Sequence, residues 1–118
     1  MRLLFVCVGN TCRSQMAEGI ARSLGHEAAS AGTHPGSSVS VNALKVLESK
    51  GISTQKLYPK LVDSIDWQSY DMVISMGCGV HCPLIRIDQD WGLNDPVGST
   101  LDVFENCATT IEENIRKL

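Results

Sequence analysis

A cysteine and an arginine near the start of the chain stand at a spacing that suits anion chemistry. Cys7 ends an apolar run, and Arg13 and Ser14 follow it after five residues. A loop of this length between a strand and a helix can turn its N–H groups and the positive helix end toward a tetrahedral oxyanion. Arg13 would supply a planar fork for two of the oxygens. We expect the anion to be bound by one run of residues: Val8, Gly9, Asn10, Thr11, Cys12, Arg13 and Ser14.

Cys7 would lie beneath that anion as a nucleophile. The field that favours the anion also favours the thiolate, which is the reactive form of cysteine. Gly9 permits close approach of the backbone, and Asn10 tolerates a left-handed conformation. Ser14 either donates a hydrogen bond to the thiolate or caps the helix. A plainer interpretation stays open, in which Cys7 is a small core residue and Arg13 a solvated charge.

Strands and helices must position these residues. The apolar run Leu3–Val8 predicts a buried strand, and apolar residues at helical spacing from Met16 to Leu24 predict a helix that ends at Gly25. Glu27–Ala31 predicts a second strand, and the residues after it are typical of a loop. The remaining predicted elements are a helix, a helical turn, two short strands and a last helix: Val41–Lys50 ending at Gly51, Ile65–Tyr70, Asp71–Met76, Leu84–Ile87, and Leu101–Leu118 with a Ser99 and Asp102 capping box.

Strands that alternate with helices predict an α/β fold with a parallel sheet and helices on both faces. In such sheets ligands bind beyond the carboxyl ends of the strands. Cys7, the Cys78–Cys82 segment and Asn94-Asp95-Pro96 each follow a predicted strand. We therefore expect these three segments to meet at one edge of the sheet.

Length and composition exclude several classes of protein. The 118 residues suit a single domain over 1–118, and 43% hydrophobic with 19% charged residues excludes intrinsic disorder. A net charge of −3 leaves no basic face for nucleic acid. The longest apolar run is far shorter than the roughly 20 residues of a membrane span. We expect a soluble protein with neither nucleic acid nor a membrane as its partner.

The cysteines indicate reduced, working thiols. Five is an odd number in a chain without a secretory signal, which argues against a disulfide framework and for the cytoplasm. Cys78 and Cys82 stand four apart in a glycine-containing segment. With His81, and with Cys7 and Cys12, they could also form a zinc site in a non-enzymatic zinc-binding or redox-sensing module. That alternative leaves the arginine of the loop unexplained.

The segment from Cys7 to Glu18 resembles the active-site loop of the low-molecular-weight protein tyrosine phosphatase superfamily, and most closely that of its thioredoxin-coupled arsenate reductases. The resemblance spans nearly the whole chain and implies a three-layer, doubly wound fold with a four-stranded parallel sheet. It implies that Cys7 is the nucleophile, Arg13 the oxyanion binder and Asp95 the general acid. The other segments that carry the resemblance are Ser30-Ala31-Gly32, Cys78, Cys82-Pro83, Trp91-Gly92 and Asp95-Pro96.

The residues after Asp95 bear on the substrate. Tyrosine phosphatases of this family usually carry aromatic residues there, whereas this chain has Val97-Gly98-Ser99. With only two Phe, two Tyr and two Trp in the chain, a small free oxyanion fits better than phosphotyrosine. The resemblance thus implies arsenate reduction, with low-molecular-weight phosphatase action on small phosphoesters or phosphotyrosine as the alternative and as a side activity.

The family's thiol relay gives roles to the second pair of cysteines. Cys7 would attack arsenate, and Cys78 would attack the Cys7 sulfur and release arsenite. Cys82 would then displace Cys7 from Cys78, leaving a disulfide for thioredoxin to reduce. Many members place these two cysteines farther apart than four, so their order stays open. No cofactor and no metal ion is expected.

Overall fold

The computed structural model describes residues 1–77, 85–94 and 96–118. This part of the chain forms four strands: β1 (Arg2–Cys7), β2 (Glu27–Gly32), β3 (Met72–Ser75) and β4 (Gln89–Asp90). It also forms three α-helices: α1 (Arg13–Ser23), α2 (Val41–Ser49) and α3 (Leu101–Arg116). Two short 3-10 helices lie between α2 and β3, at Val62–Ser64 and Trp67–Ser69.

The four strands form one parallel sheet in the order β2-β1-β3-β4. Cys7 at the end of β1 is in register with Gly32 at the end of β2, and Val6 is in register with Ser75 at the end of β3. The ends of the three strands therefore meet at one edge of the sheet. This arrangement confirms the α/β fold with a four-stranded parallel sheet.

Side chains of β1 alternate between the two faces of the sheet. Leu3, Phe5 and Cys7 face the layer of α-helices, whereas Leu4 and Val6 face the opposite side. Cys7 is thus the last residue on the helical face, at the point where the chain turns toward α1.

The helix α1 lies at the centre of the helical layer, in contact with β1, β2, α2 and α3. Every residue from Arg13 to Ala21 is buried, so its polar residues need internal partners. The Glu18 carboxylate pairs with Arg22 at 2.8 Å and Lys60 at 3.4 Å, and accepts a hydrogen bond from Ser30 Oγ at 2.7 Å. These contacts compensate the buried charge and fix α1 against β2 and the segment around residue 60.

The opposite face of the sheet is covered by the two 3-10 helices and their flanks. Val62 is buried there, and four partly buried side chains pack around it and the β1 side chains: Ile65, Trp67, Tyr70 and Ile85. The third layer of the fold is therefore thinner than the layer formed by α1, α2 and α3.

The ends of the first two helices agree with the sequence analysis. Gly25 and Gly51 follow α1 and α2 with φ of 94° and 73°, a region that glycine adopts without strain. Among the described residues, no helix is long and apolar enough to cross a membrane.

The predicted bounds of the fourth strand were wrong. The fourth strand is Gln89–Asp90 and not Leu84–Ile87, of which Leu84 lies outside the described residues. Ile85 instead packs on the face of the sheet opposite the three α-helices. The chain joins β3 at Asp88, whose N–H donates to the Val73 carbonyl at 2.8 Å and whose carboxylate accepts the Val73 N–H at 2.7 Å.

The predicted Ser99 and Asp102 capping box was also wrong. Thr100 is the residue before α3, and its hydroxyl donates a hydrogen bond to the Asp102 carboxylate. The Ser99 N–H donates to the Pro96 carbonyl at 2.8 Å. Ser99 therefore belongs to this turn, and Thr100 is the residue that precedes the helix.

The end of β2 approaches the turn after β1 very closely. A Cβ atom on Gly32 would lie 2.5 Å from the Val8 carbonyl oxygen and 3.0 Å from the Asn10 Cβ. We expect Gly32→Ala to displace this turn and to lower the free energy of unfolding by about 1 to 3 kcal/mol, the usual cost of overpacking.

Gly19→Ala is the matched control for urea denaturation. A Cβ there would meet only flexible side chains, with a Leu47 methyl nearest at 3.1 Å, in a helix that gains from alanine. If Gly32→Ala unfolds at the same urea concentration as the wild type, the close approach is not a constraint.

Asp88 ties the start of β4 to β3 and should make stability depend on acid pH. Burial raises the pKa of Asp88, but the hydrogen bonds from the Val73 N–H and Arg86 outweigh it and hold the pKa below its ordinary value of 3.8. We expect Asp88→Ala to cost about 1 to 3 kcal/mol at neutral pH, because the buried Val73 N–H loses its acceptor.

The pH dependence follows from the sign of that shift. A carboxylate with a lowered pKa contributes its full stabilisation above its ordinary pKa and loses it as the pH falls through the lowered value. The difference between wild type and Asp88→Ala should therefore shrink below about pH 4 in urea denaturation. Asp63→Ala, at an exposed carboxylate, is the control; an equal loss there, or a pH-independent difference, would contradict the assignment.

Candidate active site

The turn between β1 and α1, residues 8–12 and called the β1–α1 loop below, has its carbonyl groups bound from outside. Each carbonyl from residue 7 to residue 12 accepts a hydrogen bond at 2.8 to 3.3 Å. The donors are the backbone N–H groups of Thr33, His34, Gly36, Ser40 and Met16 and the side-chain amide of Gln15. In a trans peptide the N–H points opposite to the C=O, so the N–H groups of residues 8–13 turn toward the inside of the loop. Convergent N–H groups of this kind bind anions.

Asn10 directs one donor at Cys7 and another at Ser14. Its φ of 51° lies in the left-handed region that the sequence analysis expected it to tolerate. The Asn10 N–H donates to Cys7 Sγ at 3.1 Å, and its side-chain amide donates to Ser14 Oγ at 2.8 Å.

Ser14 is a second hydrogen-bonding neighbour of the sulfur. Its Oγ lies 2.9 Å from Cys7 Sγ, and the same oxygen accepts the Asn10 amide. With Asn10 as its donor, the Ser14 hydroxyl keeps its own proton for Cys7. Hydrogen bonds to the charged form favour the thiolate, so these contacts suit a reactive cysteine.

The positive end of α1 lies beside the loop. Cys12 is the residue before the helix, it is buried, and its side chain makes no capping hydrogen bond. The first N–H groups of a helix carry a partial positive charge that favours an anion. Ser14 is the second residue of α1, so the alternative in which it caps the helix was wrong.

Arg13 is only 4% exposed, so its interpretation as a solvated surface charge was wrong. Its guanidinium donates to the Leu93 carbonyl at 2.7 Å and to the Met76 carbonyl at 3.3 Å. These contacts hold one side of the guanidinium against the segments that follow β3 and β4.

Three predicted catalytic residues, Cys78, Cys82 and Asp95, lie outside the described residues. Gly77, directly before Cys78, and Gly92, three residues before Asp95, are described and lie against each other. Gly77 has a φ of 89° and packs backbone to backbone against Gly92. The chain therefore enters both segments from the vicinity of Arg13, as the shared sheet edge predicts.

Other predicted features have plainer roles. A Cβ on Gly9 would lie at an ordinary 3.5 Å from Thr11 Oγ1, so no contact within the protein requires glycine there. Gly32, in contrast, leaves no room for a Cβ beside the Val8 carbonyl. Val97, two residues after Asp95, is 59% exposed. Trp91 packs against Phe5 with ring centroids 5.7 Å apart.

No three His, Cys, Asp or Glu side chains within 1–77, 85–94 and 96–118 lie close enough together to hold a metal ion. Cys78, His81 and Cys82, on which the zinc alternative depends, fall outside those ranges. A surface hollow of about 410 Å³ lies beside Gly19 and Gly51, away from the loop.

Sequence reasoning missed two residues that hold Asn10 in place. Gln15 donates to the Asn10 carbonyl at 2.9 Å, and the Lys60 N–H donates to Asn10 Oδ1 at 2.8 Å. Burial lowers the pKa of Lys60, and the Glu18 carboxylate partly offsets this effect. Because Lys60 acts through its backbone and lies 50 residues from Asn10, no sequence pattern identifies it.

The family model for low molecular weight phosphotyrosine protein phosphatase matches residues 2–118. Among curated proteins, the chain is 36% identical to the glutaredoxin arsenate reductase of Synechocystis sp. (strain PCC 6803), over 99% of this chain and 95% of the relative.

Two solved structures are similar along the whole fold. An arsenate reductase in the phosphate-binding state has a TM-score of 0.90 and 35% identity, covering 98% of this chain and 94% of that one. A low-molecular-weight protein tyrosine phosphatase from T. tengcongensis has a TM-score of 0.81 and 31% identity, covering 99% and 96%. The match of the family model and these relatives together show that the chain belongs to the low-molecular-weight phosphotyrosine protein phosphatase family.

Proposed function

We propose that this protein reduces arsenate to arsenite, with Cys7 as the nucleophile. The observation that carries the proposal is the pair of contacts on Cys7 Sγ, from the Asn10 N–H at 3.1 Å and Ser14 Oγ at 2.9 Å. They lie at the base of a loop whose N–H groups turn inward. The arsenate reductases of similar sequence and structure support arsenate as the oxyanion.

In the first step the loop and Arg13 bind arsenate above Cys7. The N–H groups of the loop and the guanidinium stabilise the negative oxygens. The Cys7 thiolate attacks arsenic, an S–As bond forms, and one oxygen leaves as water. A carboxylic acid must protonate that oxygen, and Asp95 is the proposed donor.

The second step is the reduction. The thiolate of Cys78 attacks the Cys7 sulfur, the S–As electron pair stays on arsenic, and arsenite leaves. Two thiols are thereby oxidised to one disulfide while As(V) becomes As(III), so the two electrons balance. Cys82 then attacks Cys78, which frees Cys7 and leaves a Cys78–Cys82 disulfide.

An external dithiol protein must reduce that disulfide. We propose thioredoxin, because the sequence resembles those of arsenate reductases whose thiol relay is coupled to thioredoxin. Glutaredoxin is the second candidate, because the relative of 36% identity is named a glutaredoxin arsenate reductase. A cycle that passes through reduced thiols at Cys7, Cys78 and Cys82 suits the cytoplasm.

A phosphatase acting on small phosphoesters is the alternative function. The similarity to the T. tengcongensis phosphatase supports it, and the same loop would bind a phosphoryl group. The exposed Val97 after the Asp95-Pro96 pair offers no ring against which an aromatic substrate could stack. We therefore propose phosphatase turnover as an inefficient side reaction.

The function is tested by NADPH oxidation in the presence of arsenate, with thioredoxin and its reductase or with glutaredoxin, glutathione and its reductase. We expect arsenate-dependent turnover that Cys7→Ser abolishes, because the loop does not deprotonate a serine hydroxyl. Arg13→Lys should lose about 10- to 100-fold in kcat/KM, because a point charge replaces the guanidinium fork.

The controls separate the alternatives. Cys107→Ser, on α3, should keep wild-type turnover. Efficient hydrolysis of para-nitrophenyl phosphate without any arsenate-dependent turnover would establish the phosphatase instead. Stoichiometric zinc in the purified protein, with no turnover of either oxyanion, would establish the zinc-binding module.

The order of the relay is tested in a single turnover without an external reductant. We expect Cys82→Ser to release one equivalent of arsenite and to stop with a Cys7–Cys78 disulfide, which mass mapping of non-reduced peptides detects. Cys78→Ser, without the second attacker, should release almost none. The opposite result would make Cys82 the first attacker, and unimpaired multiple turnover in both variants would remove the relay.

A further inference from the structure

Asn10 connects the Cys7 sulfur to the rest of the molecule. Its backbone N–H and side-chain amide act on Cys7 Sγ and Ser14 Oγ. Its carbonyl oxygen and Oδ1 face the other way and accept hydrogen bonds from Gln15 and Lys60. The orientation of Asn10 thus depends in part on what holds these two acceptors.

Gln15 is fully buried, and its side-chain nitrogen forms a bridge. Nε2 donates to the Asn10 carbonyl at 2.9 Å and to the Tyr58 carbonyl at 2.8 Å. The primary amide has two N–H groups, so both are used. One side chain thereby joins the β1–α1 loop to the segment that also supplies the Lys60 N–H.

Asn10 needs such a restraint because of its backbone conformation. A φ of 51° is unfavourable for a residue with a Cβ atom and persists where surrounding contacts impose it. The Asn10 N–H belongs to the peptide before Asn10, whose Gly9 carbonyl accepts the Gly36 N–H at 2.9 Å. The angle φ is the rotation between that peptide and the rest of Asn10, so it stays at 51° only while both sides are held. If Gln15 released the Asn10 carbonyl, the residue could relax about this bond and its N–H would turn away from the sulfur.

We propose that Gln15 is a positioning residue, which holds Asn10 in the conformation that directs its N–H at Cys7. The proposal rests on the role of Cys7 as the nucleophile given above. It goes beyond that role because Gln15 touches neither the sulfur nor the anion and acts through Asn10. Of the two groups that hold Asn10, it is also the one that a substitution can remove, since Lys60 donates from its backbone.

The test compares the reactivity of Cys7 in wild type, Gln15→Met and Gln15→Leu. Both substitutions place an apolar side chain of similar size at the buried position and remove the two N–H donors of Nε2. The rate of alkylation of Cys7 by iodoacetamide is measured over a range of pH, with fragment ions of the Leu3–Arg13 tryptic peptide separating Cys7 from Cys12. We expect the pKa of the Cys7 thiol to rise by about one unit in both variants, the effect of losing one hydrogen bond to the thiolate.

The charged surroundings of Cys7 are the same in all these proteins. The titratable groups on the described elements packed against the loop include Arg13, Glu18 and Arg22 on α1, Cys12, His34 after β2, and Tyr58 and Lys60. Neither substitution changes a charge, so a shift reports the lost hydrogen bonds.

Ser30→Ala is the matched control. It removes a buried hydrogen bond to Glu18 from the same layer, without a contact to Asn10, and should lower stability while leaving the alkylation profile unchanged. Hydrogen exchange of the Asn10 amide gives a second measurement, and it should be faster in the Gln15 variants than in Ser30→Ala.

An unchanged Cys7 profile in a folded Gln15 variant would overturn the proposal, as would an equal shift in Ser30→Ala. If neither Gln15 variant folds, Gln15 is a structural residue and the proposal also fails. Alkylation needs no arsenate, so the two proposals can fail separately. If the wild type does not turn over arsenate but the Cys7 pKa still rises in the Gln15 variants, the proposed function is rejected and the role of Gln15 is kept.

Discussion

The site depends on the hydrogen bonds that hold the carbonyl groups of the β1–α1 loop pointing outward. Six successive carbonyls, from residue 7 to residue 12, accept hydrogen bonds from donors outside the loop. Because each peptide unit is planar, this arrangement points the N–H groups inward, and convergent N–H groups favour an anion. The proposed anion site is thus formed by the backbone, with the side chains of Arg13 and Ser14 as its further members.

Much of the surrounding fold serves to keep that loop in place. The segment after β2 supplies the N–H groups of Thr33, His34, Gly36 and Ser40, and the absence of a side chain at Gly32 allows it to come close enough. On the other side, Gln15 and Lys60 hold Asn10. These donors belong to separate parts of the chain, so the site forms only when the tertiary structure is complete.

The sequence predicted the parts of the molecule that depend on local patterns. The apolar run before Cys7, the helical spacing after Arg13 and the glycine ends of α1 and α2 all correspond to the structure. Asn10 was expected to tolerate a left-handed conformation because of its residue type, and its φ of 51° lies in that region. Contacts between distant residues were not predictable: Gln15 and Lys60 have no pattern of their own, and Arg13 is buried by the Met76 and Leu93 carbonyls, 63 and 80 residues away. The error in β4 has the same origin, since the chain joins β3 through contacts of Asp88 with Val73, 15 residues away, which the apolar pattern does not show.

We expect the folded loop both to bind a tetrahedral anion and to activate Cys7. Protection of the wild-type thiols by inorganic phosphate tests both parts in one experiment. At neutral pH, Cys7 should react with iodoacetamide faster than Cys107, and rising phosphate should slow Cys7 to a limit without affecting Cys107. A Cys7 that reacts no faster than Cys107, or at a rate that phosphate does not change, would contradict the account.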